Sequence, residues 1–229
     1  MGAIRYDEEL RNFLKQTDAI PESVDLVGPS RLIGQTTEES MPRICLLLAE
    51  GFEEIEAVTL IDVLRRGGLE VVTVGVNGET AWTAPPTIVV KGSGGIQLTV
   101  DVGLKRATGP WDCVVMPGGM PGARTLSEDS DVLALVRRHW LNGGVVAACG
   151  SAPIVLGRLG LLEGKKASCY PGFEEELGGA QIVMEPVVMD DRLLTSRGPG
   201  TAMEFALKIV EHLAGEAVAA DIRYRMLIP

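Results

Sequence analysis

The chain is short of the side chains that most often carry chemistry. It has two histidines, His139 and His212, and both fall in helix-like segments. A zinc site would have to be assembled from scattered parts, and a cysteine–histidine dyad has little material to draw on. The four cysteines stand singly at 45, 113, 149 and 169, with no C-x-x-C pair. That spacing reads as reduced, buried thiols, and Cys45 and Cys113 lie inside apolar strand-like runs. Basic residues number 21 against 31 acids, for a net charge of −10, and no lysine or arginine stripe is present. Nucleic acid and anionic membranes are therefore excluded as expected partners. No apolar run reaches the ~18 residues of a spanning helix. The first residues lack a signal-peptide core, carry acids unsuited to a transit peptide, and place Tyr6 where myristoylation wants Ser or Thr. The expectation is a soluble, cytoplasmic protein with neither metal nor cofactor.

What the chain does have is apolar content, 46% of 229 residues, enough to fill the core of one domain plus an appendage. Residues 1–40 form the appendage: Leu10, Phe13 and Leu14 give Asp7 to Thr17 one amphipathic helix, and Ile20 to Ser40 reads as a loose connector. Residues 41–229 form the domain. Ile44 to Ala49 is a continuous apolar run, as a strand buried on both faces requires, and Glu53 to Arg66 follows it as a helix. Leu69 to Val76 and Cys113 to Met116 are further strands, and Ser127 to Trp140 reads as a helix capped by Ser127. Strands alternating with helices at this spacing predict a mostly parallel, doubly wound sheet with helices on both faces. Thr87 to Val102 breaks the rhythm. Two short β-like pieces meet there at Gly92 to Gly95, a small hairpin insertion. Lys166 to Cys169, Gln181 to Met184, Val187 to Val188 and Leu193 to Leu194 complete the β content, and Met203 to Leu213 closes the domain as a helix.

The centre of the chain is Gly143 to Pro153, GGVVAACGSAP. A short apolar strand, Val145 to Ala148, turns through Cys149, Gly150 and Ser151 into a helix-like run from Ala152. A strand bending sharply into a helix exposes one residue beside the new backbone N–H groups, the logic of a nucleophile elbow. With Cys149 at the bend the elbow is armed; with Gly150 there it is empty. Binding sites in open α/β sheets form beyond the carboxyl ends of the strands. Four stretches should converge there: Gly51 to Glu56, Pro117 to Gly122, Cys149 to Pro153 and Cys169 to Gly172.

Glu56 heads an apolar row with Leu60 and Val63, so it should be partly desolvated and suited to general acid or base work. Glu53 and Glu54 read as ordinary first-turn acids favoured by the helix dipole. Gly118 and Gly119 end a buried strand, where glycine lets backbone N–H groups point into a site; a tight turn chosen for shape accounts for them equally well. Tyr170 and Pro171 belong at the mouth, where the tyrosine hydroxyl meets a substrate or the ring packs on the elbow. Thr195 to Thr201 reads as structural.

Taken together, AEGFEEIE (Ala49 to Glu56), VVMPGG, GVVAACGSAP, CYPGFEEEL and TSRGPGTAMEFAL (Thr195 to Leu207) resemble the ThiJ/PfpI superfamily in its DJ-one-like branch. The resemblance covers about Arg43 to Ala219. It implies a flavodoxin-like sandwich, a homodimer, and activities ranging from glyoxalase or deglycase chemistry to oxidative-stress sensing and chaperoning. The family's historical name adds a thiamine-pathway role. It also implies a site in which an elbow cysteine pairs with a buried glutamate, here Glu56, beside oxyanion amides from Gly119 and Ser151. The family pattern Ala-Ala-x-Cys-x-x-Pro, counted back from Pro153, places Gly150 where the cysteine belongs and Cys149 one residue before it. Strand alternation then aims Cys149 away from the side that Gly150 faces. Tyr170 takes the place of a site histidine, and the Gly92 to Gly95 hairpin lacks the arginine that relatives supply to a partner subunit. Two readings follow. One is a binding, chaperone-like or redox-responsive protein acting on a small carbonyl compound or a client protein. The other is a cysteine-dependent glyoxalase or deglycase that uses Cys149 and Glu56 on methylglyoxal or glycated adducts.

Overall fold

The computed structural model describes residues 41–77, 79–81 and 87–229; the predicted arm over residues 1–40 lies outside them. Strand β1 (Arg43–Ala49) leads into helix α1 (Glu54–Arg66) and strand β2 (Glu70–Val76). A small sheet follows, made of β3 (Glu79–Ala81), β4 (Thr87–Lys91) and β5 (Gln97–Val100), and then β6 (Val102–Gly103). Next come β7 (Cys113–Met116), α2 (Gly122–Glu128), α3 (Ser130–Leu141), β8 (Val145–Cys149) and α4 (Pro153–Arg158). The chain ends with β9 (Lys166–Ala167), β10 (Gln181–Ile182), β11 (Val187–Asp190), β12 (Leu193–Ser196), α5 (Ala202–Ala214) and α6 (Glu216–Arg225).

Seven strands form the main sheet in the order β11-β12-β8-β7-β1-β2-β6. Every pairing in it is parallel except β11 with β12. The apolar runs of the central strands exist because both faces are covered. Along β1, Ile44, Leu46 and Leu48 enter one core with Leu60 and Val63 of α1 and Phe205 and Ile209 of α5. Cys45, Leu47 and Ala49 enter the other, with Leu126 of α2, Val136 of α3 and Ile154 of α4. Each fully buried Leu, Ile or Phe contributes about 1.5–3 kcal/mol by leaving water. The architecture is the flavodoxin-like, doubly wound sandwich. Among the described residues no helix is long and apolar enough to cross a membrane.

Three features differ from the sequence reading. The helix predicted over Ser127 to Trp140 is two helices that break at Asp129. The Asp129 carboxylate accepts hydrogen bonds from the backbone N–H groups of Asp131 (2.9 Å) and Val132 (3.0 Å), while the Ser127 hydroxyl donates to Arg124 O (2.8 Å). Ser-Glu-Asp offers two capping residues, and the one in extended conformation is the aspartate. Helix α6 went unpredicted because it buries only Ala219 and Ile222 and so carries little apolar periodicity. The piece predicted as a Lys166 to Cys169 strand pairs only over Lys166 and Ala167, with β10, outside the main sheet.

Candidate functional site

The parallel strands deliver their carboxyl ends to one edge, and the four predicted loops meet there in direct contact. Gly51 ends β1 and lets the chain turn into α1. Glu53 caps that helix, its carboxylate accepting from Glu56 N at 2.7 Å. Glu56 is thereby fixed in the first turn, buried, with Oε2 accepting from Gly118 N at 2.6 Å. Burial pushes its carboxyl up to about 7; the Gly118 hydrogen bond pulls the other way, and the neighbouring Glu53 charge adds to the push.

Opposite Glu56, β8 ends at Cys149 and Gly150 makes the bend. Gly150 has φ +61°, and a Cβ built on it would stand 2.5 Å from Glu56 Oε1. Its N–H donates to Ser196 O (3.0 Å), and its carbonyl accepts from Tyr170 N (2.8 Å). Gly119 stands at φ +95°, where any side chain would collide with the backbone of Glu53 and Gly51. Ser151 is buried beyond the bend, its hydroxyl 3.4 Å from Gly119 O. The structure therefore brings Glu56, Gly118, Gly119, Gly150 and Ser151 together at one corner. Tyr170 and Pro171 lie on its exposed rim. The Tyr170 ring packs edge-on against Phe173, and a Cβ on Gly198 would stand 3.1 Å from it.

Cys149 keeps the alternation of β8, sharing a core layer with Val145 and Ala147, but Gly150 does not face the opposite side as expected. The Cys149 side chain belongs to the core layer of α1 and α5, has no exposed surface, and donates to Gly198 O at 3.8 Å. Burial pushes the thiol well above its ordinary value, and the nearby Glu56 carboxylate raises it further. The two residues are thus not separated onto opposite sides. Glu56 reaches both the thiol and the bend, because α1 packs over the very face to which Cys149 points. A thiol held in its protonated form in a closed core is a poor nucleophile.

The turn at Gly198, expected to be structural, takes part in the corner, and Glu54, expected to be an ordinary first-turn acid, ties the hairpin to α1. Gly198 O receives the Cys149 thiol and also accepts from Thr201 Oγ1 (2.9 Å), which is linked in turn to Ser196 Oγ (2.7 Å). Glu54 is no idle first-turn acid. Its carboxylate accepts from Gly94 N (2.5 Å), Ser93 Oγ (3.2 Å) and Ile96 N (3.4 Å), latching the β4–β5 hairpin to the start of α1. Burial works to raise its carboxyl, but these hydrogen bonds together hold it below the usual range. Among the described residues no cluster of three His, Cys, Asp or Glu side chains is placed to hold a metal ion.

A doubly wound sandwich whose first-helix acid faces a sharp strand-to-helix bend belongs to the elbow class of α/β proteins. Residues 42–212 match the model of the DJ-1/PfpI family, and the chain belongs to that family. Among its relatives is the Drosophila melanogaster protein dj-1beta, 39% identical over 186 residues, covering 80% of this chain and 95% of that one. The crystal structure of Drosophila melanogaster DJ-1beta superposes with a TM-score of 0.77 at 38% identity, over 83% of this chain and all of that one. A Caenorhabditis elegans relative described as glutathione-independent glyoxalase DJR-1.2 is 37% identical over 175 residues, 75% of this chain and 88% of its own. Protein DJ-1 homolog B of Arabidopsis thaliana is 37% identical over 83% of this chain, which spans only 42% of that longer protein.

Proposed function

We propose that this protein is a DJ-1/PfpI member that keeps the family's pocket and acid but binds its ligand without covalent chemistry. It would work in the cytoplasm as a stress-related binding or chaperone-like homodimer. The observation that carries the reading is the corner itself. The residue at the bend is Gly150, with no side chain, and the nearest sulfur is one residue back, enclosed and protonated. Covalent catalysis needs an exposed, activated nucleophile within reach of its base. Ile55, Val58 and Ile96 are exposed apolar residues on α1 and just after the hairpin turn, and they support self-association on that face. The unpaired, buried cysteines support a reducing compartment.

A second reading has one observation in its favour. Glu56 acts on the Cys149 thiol, and the nematode relative is described as a glyoxalase. In that reading Cys149 would swing to the bend and attack the aldehyde of methylglyoxal, with Glu56 moving the proton. One experiment separates the two: methylglyoxal consumption by the wild type and by Cys149→Ala. The non-covalent reading expects no protein-dependent consumption in either. Turnover by the wild type that Cys149→Ala abolishes would establish the cysteine-dependent enzyme instead.

A further inference from the structure

At the β6 end of the main sheet, away from the corner, a cleft of about 740 Å³ opens beyond the carboxyl ends of β2 and β6. None of its lining residues belongs to the four loops that meet at Gly150. Pockets of roughly 300–1,000 Å³ suit small molecules when an apolar lining carries a few placed polar groups. Two glycines shape the apolar part. Gly75 and Gly103 pair in register across β2 and β6, and the small sheet lies directly on that bare backbone. A Cβ on Gly103 would stand 2.9 Å from Ile88 Cδ1, and one on Gly75 2.9 Å from Val100 Cγ2. Ile88, Val102 and Leu104 are left half-buried in the lining.

The charges around this lining are unevenly committed. Asp101 Oδ2 accepts from Thr73 N (2.8 Å) and Thr73 Oγ1 (2.7 Å) and faces Arg65 at 3.6 Å. Asp129 caps α3 through Oδ1, and its Oδ2 accepts from Asn77 Nδ2 at 3.4 Å. Lys105 and Arg106 stand side by side in the turn after β6, and their side chains make no hydrogen bond or ion pair among the described residues. Asp131 is the one acid of the lining whose carboxylate is also uncommitted. The chain as a whole carries a charge of −10, so an anion gains here only from these local cations.

We infer that this cleft binds a small organic monoanion with an apolar body, an aryl or branched-alkyl carboxylate. Its apolar part lies on Ile88, Val102 and Leu104, and its carboxylate is held by Lys105 and Arg106. A guanidinium beside an ammonium suits that group, since Arg presents a planar fork of donors and Lys a compact point charge. Asp131 opposes the ligand's charge and limits its affinity. The site shares no residue with the Gly150 corner, so the inference stands or falls apart from the reading of Cys149.

The test is a titration of the full, ¹⁵N-labelled chain with 1-naphthoate and with its uncharged analogue 1-naphthamide, followed at the backbone amides of Gly103 to Arg106. The expected result is a saturable shift there with naphthoate, none at Gly119 or Ser151, and markedly weaker binding of naphthamide. An exposed charge contact changes affinity by about two- to fivefold, so losing both cations costs about tenfold. Lys105→Gln combined with Arg106→Gln should therefore weaken naphthoate by about tenfold, and Asp131→Asn should tighten it by about two- to fivefold. Arg158→Gln removes an exposed cation from α4 and should leave binding unchanged. If the double variant does not fold, the naphthoate–naphthamide comparison in the wild type still decides. Equal binding of the two compounds, no saturable shift at these amides, or an equal loss from Arg158→Gln and from the double variant overturns the inference.

Discussion

A Cβ on Gly150 would stand 2.5 Å from Glu56 Oε1, closer than a carbon and an oxygen can approach without one moving. Glu56 cannot yield cheaply, because its other oxygen is tied to Gly118 N at 2.6 Å and the side chain is enclosed. The acid and the glycine are therefore fitted to each other, and the nucleophile's place is partly filled.

Gly150→Cys tests that fit. The substitution puts a side chain on a residue at φ +61°, costing about 1–2 kcal/mol, and overpacks the corner, costing about 1–3 kcal/mol more. For a domain of this size each kcal/mol lowers the melting temperature by roughly 2–4 °C. The expected product is folded, roughly 5–15 °C less stable, and without methylglyoxal turnover. A Gly150→Cys protein as stable as the parent and active on methylglyoxal would show that only the sulfur had been missing.

The pH dependence of stability follows from Glu56. Its carboxyl titrates near 7 in the folded chain and at about 4.5 when exposed, so between those values the folded state holds the extra proton. Stability must then fall as pH rises from about 4.5 to about 7, by on the order of 3 kcal/mol from this group. His139 acts in the opposite sense. Burial lowers its pKa, so the unfolded state takes up the proton below about 6.5 and stability rises with pH through that region. Denaturant melts of wild type and Glu56→Gln at several pH values separate the two, since only the wild type carries the downward contribution. Parallel curves for the two proteins would mean that Glu56 is ionised in the folded chain.

The layered fold was readable because its signals are local: continuous apolar runs, glycine breaks and a 3.6-residue period each declare one element. The run GGVVAACGSAP declared a strand-to-helix bend but left Cys149 or Gly150 at its corner, and only the family pattern counted back from Pro153 chose Gly150. What stayed hidden depends on tertiary neighbours. Nothing near Glu54 in sequence indicates that Gly94 and Ile96 will donate to it, and nothing near Gly198 indicates that it will receive a thiol from β8. Alternation gave the face to which the Cys149 thiol points, with Val145 and Ala147, but not that the bend at Gly150 turns back toward the same Glu56.

Glu54 offers a third prediction. Removing its carboxylate in Glu54→Ala leaves the N–H groups of Gly94 and Ile96 without their acceptor, so the hairpin is then held by the backbone bonds of Lys91 to Gly51 and Ser93 to Phe52. Losing hydrogen bonds to a charged group costs about 1.5–3 kcal/mol when water cannot fully replace it. Hydrogen exchange at the Gly94 and Ile96 amides should accelerate selectively, while amides of β1 and β8 keep their protection relative to global stability. A uniform change across all of them would show that Glu54 supports the fold at large and not this turn.

The chemistry of Cys149 can be read directly by alkylation. Iodoacetamide reacts with the thiolate, so labelling needs both access and ionisation. Cys149 is fully enclosed and its thiol is held well above the ordinary value, first by burial and then by Glu56. Cys45 and Cys113 are equally enclosed, and burial raises both, Cys45 to about 12. Cys169 is the most accessible of the four, 5% exposed, with a value of about 11. In native protein at pH 8, mass spectrometry should therefore find Cys169 modified first and Cys149 untouched until the chain unfolds, whereupon all four react. Rapid labelling of Cys149 in the native state, ahead of Cys169, would show the thiol leaving the core for the bend, the motion that the cysteine-dependent reading requires.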